Sequence, residues 1–234
     1  MYGKYILRTE KEMSFIVAID GPAGAGKSTI AKKAAGELGF IYVDTGAMYR
    51  AVAVYLTESD ISASDEDLVE KSIADISVEI KYEDGAQQVY LNGENVTGKL
   101  RTEAAGNMAS KASALPCVRE KLLSLQRDLA ASNDVVMDGR DIGTNILPSA
   151  ELKVYLTASS AVRAKRRYDE LVAKGAENID IEKIEQDIIQ RDKQDMERKT
   201  APLKRADDAV LIDSSDMTIE QVTDTIVGLA RERM

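Results

Sequence analysis

The residues best suited to chemistry in this sequence form a glycine-rich run that ends in a lysine and a serine. Residues 21–28 read Gly-Pro-Ala-Gly-Ala-Gly-Lys-Ser, which fits the pattern G-x-x-x-x-G-K-[S/T]. In such a loop the backbone N–H groups surround phosphate oxygens, the lysine reaches the β- and γ-phosphates, and the hydroxyl ligates Mg²⁺. The sequence therefore predicts a nucleoside triphosphate site, with Ser28 as the metal ligand and the following contacts to the nucleotide: Gly21, Pro22, Ala23, Gly24, Ala25, Gly26, Lys27, Ser28 and Thr29.

A phosphate-binding loop alone does not decide the reaction, because GTPases, motor ATPases and small-molecule kinases all carry one. No asparagine in the chain is followed by lysine, so the N-K-x-D guanine reader of a GTPase is missing. Asp138 ends a strand-like run and resembles the water-polarising carboxylate of an ATPase, which leaves that assignment ambiguous. Arg140 and Asp141 follow at once, where open α/β sheets bind ligands.

Arginine is the residue type that favours phosphoryl transfer to a second phosphate. Guanidinium groups bind phosphate through paired hydrogen bonds and neutralise two anionic substrates held together. No general base is needed when the acceptor is already a phosphate oxygen, and the chain contains no histidine. The candidates for this clamp are Arg50, Arg119, Arg140, Arg191 and Arg198.

Three of the candidate side chains share one predicted helix. From about Ile181 the spacing predicts a helix on which Arg191, Asp195 and Arg198 lie on one face. An earlier helix carries a further group, Arg163, Arg166 and Arg167, for which two interpretations remain open: cations of a substrate-covering lid, or a solvated helix face.

Short apolar runs alternate with helical segments, which predicts an α/β fold with a parallel sheet covered on both faces. The helical segments follow Lys27, span residues 118–129 and span residues 219–229, the last opened by a capping box of Thr218 and Gln221. The predicted strands are Phe15–Ile19, Ile41–Val43, Val135–Met137, Leu152–Leu156 and Val210–Ile212.

The pattern changes between residues 61 and 96. A short helix is predicted around Leu68, Ser72 and Ile76. Residues 78–91 then alternate apolar and polar side chains around Asp84-Gly85, and Asn92-Gly93 marks a second turn, which together predict a small antiparallel insertion.

Length and composition limit the wider possibilities. At 234 residues, with a net charge of −9, the chain is expected to fold as one water-soluble domain that does not bind nucleic acid. The first twelve residues lack an apolar core and no run of 18 apolar residues occurs, so we expect neither a secretory signal nor a membrane span. The single cysteine, Cys117, fits a reducing cytoplasm. A monomer is expected because no extended apolar heptad occurs.

Taken together, the motifs resemble bacterial-type cytidylate kinases, within the nucleoside monophosphate kinase superfamily of P-loop NTPases. The resemblance runs from about residue 14 to the C-terminus. It implies a five-stranded parallel sheet flanked by helices, a small antiparallel insert in the monophosphate-binding region and a short helical lid. The motifs that carry it are residues 21–28, 44–50, 98–103 and 138–144, and Arg191-Asp192 leading to residues 201–203.

The resemblance also implies a division of the chain and a reaction. Residues 1–12 would be an N-terminal extension and 13–234 one kinase domain, with a monophosphate-binding insertion at about 45–113 and a lid at about 163–182. The implied reaction, part of pyrimidine metabolism, transfers the γ-phosphoryl group of ATP, with Mg²⁺, to CMP or dCMP. Lid closure would exclude water.

The implied roles fall on individual residues. Lys27, Arg140 and Arg191 match catalytic positions, and a carboxylate in the base pocket would accept the amino group of cytosine and repel the carbonyl of uracil. Matching residues would hold the acceptor phosphate (Thr45, Arg50 and Arg140), read the base (Ser110, Arg119, Asp141 and Arg198) and lie near the sugar and phosphate (Arg191 and Asp195). The alternatives are a non-catalytic nucleotide sensor and a kinase for another small acceptor such as UMP, AMP or shikimate.

Overall fold

Five short apolar runs form one parallel sheet, and helices connect them. The computed structural model describes residues 14–234, so the predicted extension at residues 1–12 lies outside the described residues. The elements in chain order are β1 (Ile16–Asp20), α1 (Lys27–Leu38), β2 (Ile41–Asp44), α2 (Thr45–Glu58), α3 (Glu66–Ile73), β3 (Val78–Glu83), β4 (Ala86–Leu91), β5 (Glu94–Asn95), α4 (Glu103–Ala112), α5 (Pro116–Ser132), β6 (Val135–Gly139), β7 (Leu152–Thr157), α6 (Ser160–Ala173), α7 (Ile181–Glu197), β8 (Val210–Asp213) and α8 (Ile219–Arg231).

The strand order of the large sheet is β2-β6-β1-β7-β8, and all its neighbours are parallel, which confirms the predicted α/β class. Successive side chains of β1 enter opposite cores because a strand alternates its faces. Val17 and Ile19 pack with α1 and α8, whereas Ala18 packs with α2 and α5. Burial on both faces explains why these strands read as continuous apolar runs.

The carboxyl ends of the strands converge on one edge of the sheet. Asp20, at the end of β1, lies opposite Gly139, and Asp44, at the end of β2, lies opposite Asp138. In open parallel sheets this edge is where ligands bind. The loops that follow β1, β2 and β6, which carry three of the predicted site motifs, therefore begin side by side.

The predicted antiparallel insertion is confirmed as a three-stranded sheet in the order β3-β4-β5. Both turn dipeptides adopt positive φ, 51° and 75° at Asp84-Gly85 and 49° and 83° at Asn92-Gly93, as tight hairpin turns of the primed type require. Gln87 of β4 bonds the backbone of Asp44 on both sides, at 2.8 Å to its N–H and 3.2 Å to its carbonyl. The insertion is thereby fixed to the end of β2.

The predicted helices occur, with two corrections. Helix α3 buries Val69 and Ile73 and exposes Leu68, and it ends before Ile76, which is buried in the segment that follows. Helix α7 ends at Glu197, so Arg198 is not on its face: the residue has extended backbone, with φ −60° and ψ 141°. The capping box at Thr218 is present.

Candidate active site

The glycine-rich loop connects β1 to the first turn of α1 and passes directly against β7. A Cβ atom built on Gly21, whose φ is 152°, would lie 1.9 Å from the carbonyl oxygen of Leu156, so only glycine fits this approach. Helix α1 begins at Lys27, which directs the positive end of its dipole and its free N–H groups toward the loop. The loop therefore forms a cradle for an anion.

Lys27 is buried and donates a hydrogen bond to the carbonyl of Pro22 at 2.7 Å. Burial, followed by the neighbouring cation of Arg140, lowers the pKa of Lys27 to about 7, while Asp138 and Asp20 act in the opposite direction. A positive charge held here is poorly solvated, so an anion in the cradle would stabilise it.

Asp138 connects the loop to the sheet. Its carboxylate accepts from the Ser28 hydroxyl and from the Tyr42 hydroxyl, each at 2.9 Å. Burial and the nearby Asp44 raise the pKa of Asp138 to about 6. The structure thus places this carboxylate beside the predicted metal ligand. Its position at the end of β6 signals a site residue, but the sequence contains no signal that pairs it with Tyr42.

Thr45 and Arg50 lie on α2, at the end of β2. The side chain of Asp44 caps this helix by accepting from the Ala47 N–H at 2.9 Å. The Thr45 hydroxyl donates to the Asp138 carbonyl at 2.8 Å, which fixes the start of α2 to the end of β6. Arg50 Nη1 lies 4.0 Å from an Asp44 oxygen and keeps about a third of its side chain exposed, at 32%.

Three predicted arginines converge here. Arg140 donates through Nε to Asp195 at 2.9 Å and through Nη1 to the Gly139 carbonyl at 3.3 Å. Arg191, one turn before Asp195 on α7, has a buried Nε without a hydrogen-bond partner among residues 14–234. Burial lowers the pKa of Arg191, and the nearby cations of Arg140 and Arg50 add to the effect, while Asp195 and Asp192 oppose it. Like charges gathered with an unpartnered donor indicate a site for an anion.

Of the residues predicted to read a base, Arg119 and Arg198 bind the buried carboxylate of Asp141. It accepts from Arg119, from Arg198 Nη2 at 3.3 Å and from Asn145 at 3.2 Å. The same two arginines are held by Ser113, whose carbonyl accepts from Arg119 at 3.2 Å and whose hydroxyl lies 3.5 Å from Arg198. Ser110 contributes its carbonyl, which accepts from the Ser113 hydroxyl at 3.0 Å. Asn145 and Ser113 were missed because ordinary polar residues in loops and helices carry no spacing signal.

Asp20 is a further residue that sequence reasoning missed. It accepts from the backbone N–H groups of Ile142 and Gly143, both at 2.8 Å, at the start of a single π-helical turn that spans Ile142–Ile146. Burial raises the pKa of Asp20 to about 6, against these two hydrogen bonds, which lower it. This contact fixes the turn that follows Asp141.

The three arginines of α6 lie in different environments, and only Arg167 lies on the solvated face of the two interpretations. Arg163 is buried and donates to Asp192 at 2.6 Å, to the Ala23 carbonyl at 3.0 Å and to the Ala158 carbonyl at 2.8 Å, so it supports the phosphate loop. Arg166 donates to the Ser214 carbonyl at 2.7 Å. Arg167 pairs with Glu170 at the surface, as the interpretation of a solvated helix face predicts.

Oxygen donors are available for a hard cation at the loop. Ser28 and Asp138 supply a hydroxyl and a carboxylate side by side, which suits Mg²⁺ completed by phosphates and water. Within residues 14–234, no group of three or more histidine, cysteine, aspartate or glutamate side chains is arranged to hold a metal by itself. Among the described helices, none has the length and apolar character to cross a membrane.

Comparison with known proteins assigns the chain to a family. The family model described as cytidylate kinase matches residues 17–232. The chain is 46% identical to a cytidylate kinase of Geobacillus thermodenitrificans, covering 95% of this chain and 99% of the relative. It is 48% identical to one of Caldicellulosiruptor saccharolyticus, covering 91% and 94%, respectively. A solved structure of an uncharacterized protein from Eubacterium ventriosum shares the fold, at 15% identity and a TM-score of 0.51, with 94% of this chain and 99% of that one covered. This chain belongs to the cytidylate kinase family.

Proposed function

We propose that the protein transfers the γ-phosphoryl group of ATP to CMP or dCMP and releases ADP with CDP or dCDP. The observation that carries the proposal is the convergence of Arg50, Arg140 and Arg191, with the unpartnered Nε of Arg191 among them. Arg140 directly precedes Asp141, and its cation acts on both Lys27 of the phosphate loop and Arg191, so the two phosphates are proposed to meet at these cations. Family membership supports cytidine nucleotides as the acceptors.

The proposed step needs no proton transfer. An oxygen of the acceptor phosphate attacks the γ-phosphorus, a P–O bond forms, and the bond to the β–γ bridging oxygen breaks with its electron pair leaving on ADP. Lys27, Arg140 and Arg191 neutralise the charge that spreads over the transferring group, which is the main form of catalysis in phosphoryl transfer. The absence of histidine from the chain is consistent with this step.

The phosphate loop, residues 21–29, is the proposed site of the ATP phosphates. Ser28 would hold Mg²⁺, with Asp138 beside it orienting the hydroxyl or a bound water. When bound, the metal supplies positive charge that draws the phosphates into register. The protein itself supplies the cradle for the phosphates. The close packing of the loop against Leu156 fixes the loop's conformation before a ligand binds.

The acceptor would be held at two ends. Thr45, Arg50 and Arg140 are proposed to bind its phosphate, with Arg191 and Asp195 near the sugar and phosphate. The base would enter the pocket formed by Ser110, Arg119, Asp141 and Arg198. Asp141 accepts from three donors, and a carboxylate has about four lone-pair sites, so one more N–H can bind. The amino group of cytosine offers that N–H, whereas uracil presents a carbonyl oxygen.

We propose that the chain is divided into an extension at residues 1–12 and a kinase domain with a monophosphate-binding insertion at about 45–113 and a lid at about 163–182. Because Arg163 is fixed to the phosphate loop, we expect the moving part of the lid to begin beyond it. We further propose a cytoplasmic monomer of pyrimidine metabolism whose partners are these small substrates and not nucleic acid. The single cysteine and the net charge of −9 support those assignments.

The experiment is a set of initial rates of ADP release with ATP, Mg²⁺ and one monophosphate at a time. CMP and dCMP are expected to give kcat/KM at least about tenfold above UMP and AMP, the ratio that about 1.4 kcal/mol of discrimination produces. Higher activity with UMP or AMP would contradict the assignment of the acceptor. ATP binding without any acceptor-dependent turnover would instead identify a nucleotide sensor.

A further inference from the structure

The aromatic ring of Tyr49 lies against the residues proposed to read the base. Tyr49 is buried on α2, directly before Arg50, and the guanidinium carbon of Arg119 lies 5.6 Å from the centroid of its ring. The face of an aromatic ring carries negative potential and attracts a cation at this distance. Tyr49 therefore supports one of the two arginines that bind Asp141.

The charges in the pocket explain why such support is needed. Two buried guanidinium groups, those of Arg119 and Arg198, share the single carboxylate of Asp141. One carboxylate cannot fully balance two desolvated cations. The ring of Tyr49 provides further negative potential beside Arg119. It does so without using a hydrogen bond that the binding of cytosine would require.

The amide of Gln126 is buried and acts on the phenol of Tyr49. Gln126 on α5 is 1% exposed, and neither of its amide atoms forms a hydrogen bond of normal geometry with the described residues. Burial raises the pKa of Tyr49, and the adjacent Arg119 cation and the amide of Gln126 both act to lower it. A buried amide without a strong hydrogen-bond partner costs free energy. We therefore expect Gln126 to have a function at the phenol of Tyr49.

We propose that Tyr49 is a positioning residue for base selection. Its ring holds the guanidinium of Arg119 against Asp141 while the amino group of cytosine binds the carboxylate, and Gln126 limits the movement of its hydroxyl end. The inference rests on the proposed function. Tyr49 itself makes no contact with the reacting phosphates in this scheme, so it acts on the affinity for CMP and not on the chemical step.

The test compares Tyr49→Leu, which removes the ring, with Tyr49→Phe, which keeps it. For Tyr49→Leu we expect the KM for CMP to rise about tenfold, a change that corresponds to about 1.4 kcal/mol and is within the range for a desolvated cation–π contact. The kcat and the KM for ATP should stay within about twofold, the preference for CMP over UMP should fall, and Tyr49→Phe should keep the wild-type KM for CMP within about threefold. Equal losses in both variants would overturn the role of the ring.

A double-mutant cycle separates positioning from mere packing. If Tyr49 acts through Arg119, Tyr49→Leu should change the KM for CMP less than about twofold in an Arg119→Met background. A tenfold effect in both backgrounds would show that the residue acts by another route. Tyr49→Met replaces Tyr49→Leu if thermal unfolding shows that the leucine variant does not fold. Wild-type protein in the same assay distinguishes a failure of the proposed function from a failure of the Tyr49 inference. A wild-type protein without a preference for CMP contradicts the proposed function. A preference for CMP that the Tyr49→Leu variant retains contradicts only the inference about Tyr49.

Discussion

Single residues in this protein carry charge in places where burial makes charge costly. Lys27, Asp20 and Asp138 end or follow parallel strands, and burial displaces the pKa of each toward neutrality, to about 7, 6 and 6. Such displaced groups cluster where a site binds or transforms a charged ligand. At the scale of single residues, the site differs from the rest of the molecule mainly in the burial of its charged side chains.

Asp20 gives a pH-dependent prediction. The pKa of its carboxyl is raised from 3.8 to about 6 in the folded state, so between these values the folded protein binds a proton that the unfolded chain has lost. Stability from this group therefore falls as pH rises through that window. Relative to wild type, Asp20→Asn should become more stable as pH rises from 4 to 7, by up to about 3 kcal/mol.

Urea unfolding of both proteins at several pH values measures the difference. Asp128→Asn, an exposed substitution, is the control and should leave the difference from wild type nearly constant. A difference between Asp20→Asn and wild type that does not change with pH would show that Asp20 titrates normally.

At the scale of elements, the α6–α7 pair is joined to the phosphate loop. Arg163 of α6 and Asp192 of α7 form a buried ion pair, and each also bonds the backbone of Ala23, at 3.0 Å to its carbonyl and 3.3 Å to its N–H, respectively. The two helices thus hold the loop at one point. Because a buried pair leaves a costly charge when one partner is removed, we expect the loop to be sensitive to substitution of either residue.

We expect Arg163→Met to lower the free energy of unfolding by about 3–5 kcal/mol, since Asp192 would remain buried without its partner. The KM for ATP should rise as well, because Ala23 loses its support. Arg167→Met on the same helix is the matched control: its pair with Glu170 is exposed, so the change should stay below about 1 kcal/mol. Similar losses in both variants would contradict the assignment of Arg163 to the loop.

The elements show which parts of the fold a local pattern can predict. Strands buried on both faces and the two hairpin turns can be predicted from the sequence. Their signals are apolar runs and turn dipeptides that adopt positive φ, and both depend only on neighbouring residues. The end of α7 is different. Arg198 has helical spacing, yet its guanidinium bonds the Ala201 carbonyl at 2.7 Å and reaches Asp141, contacts that hold it in extended backbone and that no local pattern contains.

The same limit applies to the site. The loop glycines, Lys27 and the arginines stand in recognisable motifs, so their presence could be predicted together with the chemistry of phosphate binding. Tyr42 could not, because its role comes from Asp138, 96 residues away, whose approach depends on the whole fold. Asn145 could not either, because an asparagine four residues after an aspartate carries no signal of its own. For the same reason the π-helical turn after Asp141 has no sequence signal, since Asp20 from another strand holds it.

At the scale of the whole molecule, an acidic protein gathers a group of cations, interleaved with aspartates, at one edge of its parallel sheet. The chain has a net charge of −9, but Lys27, Arg50, Arg140 and Arg191 come together at the carboxyl ends of β1, β2 and β6 and on α7. The gathered cations favour the binding of compact anions at this edge. The parallel sheet produces this arrangement by bringing all the loops that follow these strands to one edge.

The most direct measurement of the central claim is the steady-state rate of Arg191→Met with ATP and CMP. If the arginine cluster replaces a proton-transferring group, kcat should fall by about 10²–10³, the loss typical of removing one preorganised electrostatic contact, while the KM for ATP stays within about threefold. The exposed variant Arg167→Met should keep the wild-type rate. A kcat for Arg191→Met within about threefold of wild type would contradict the account.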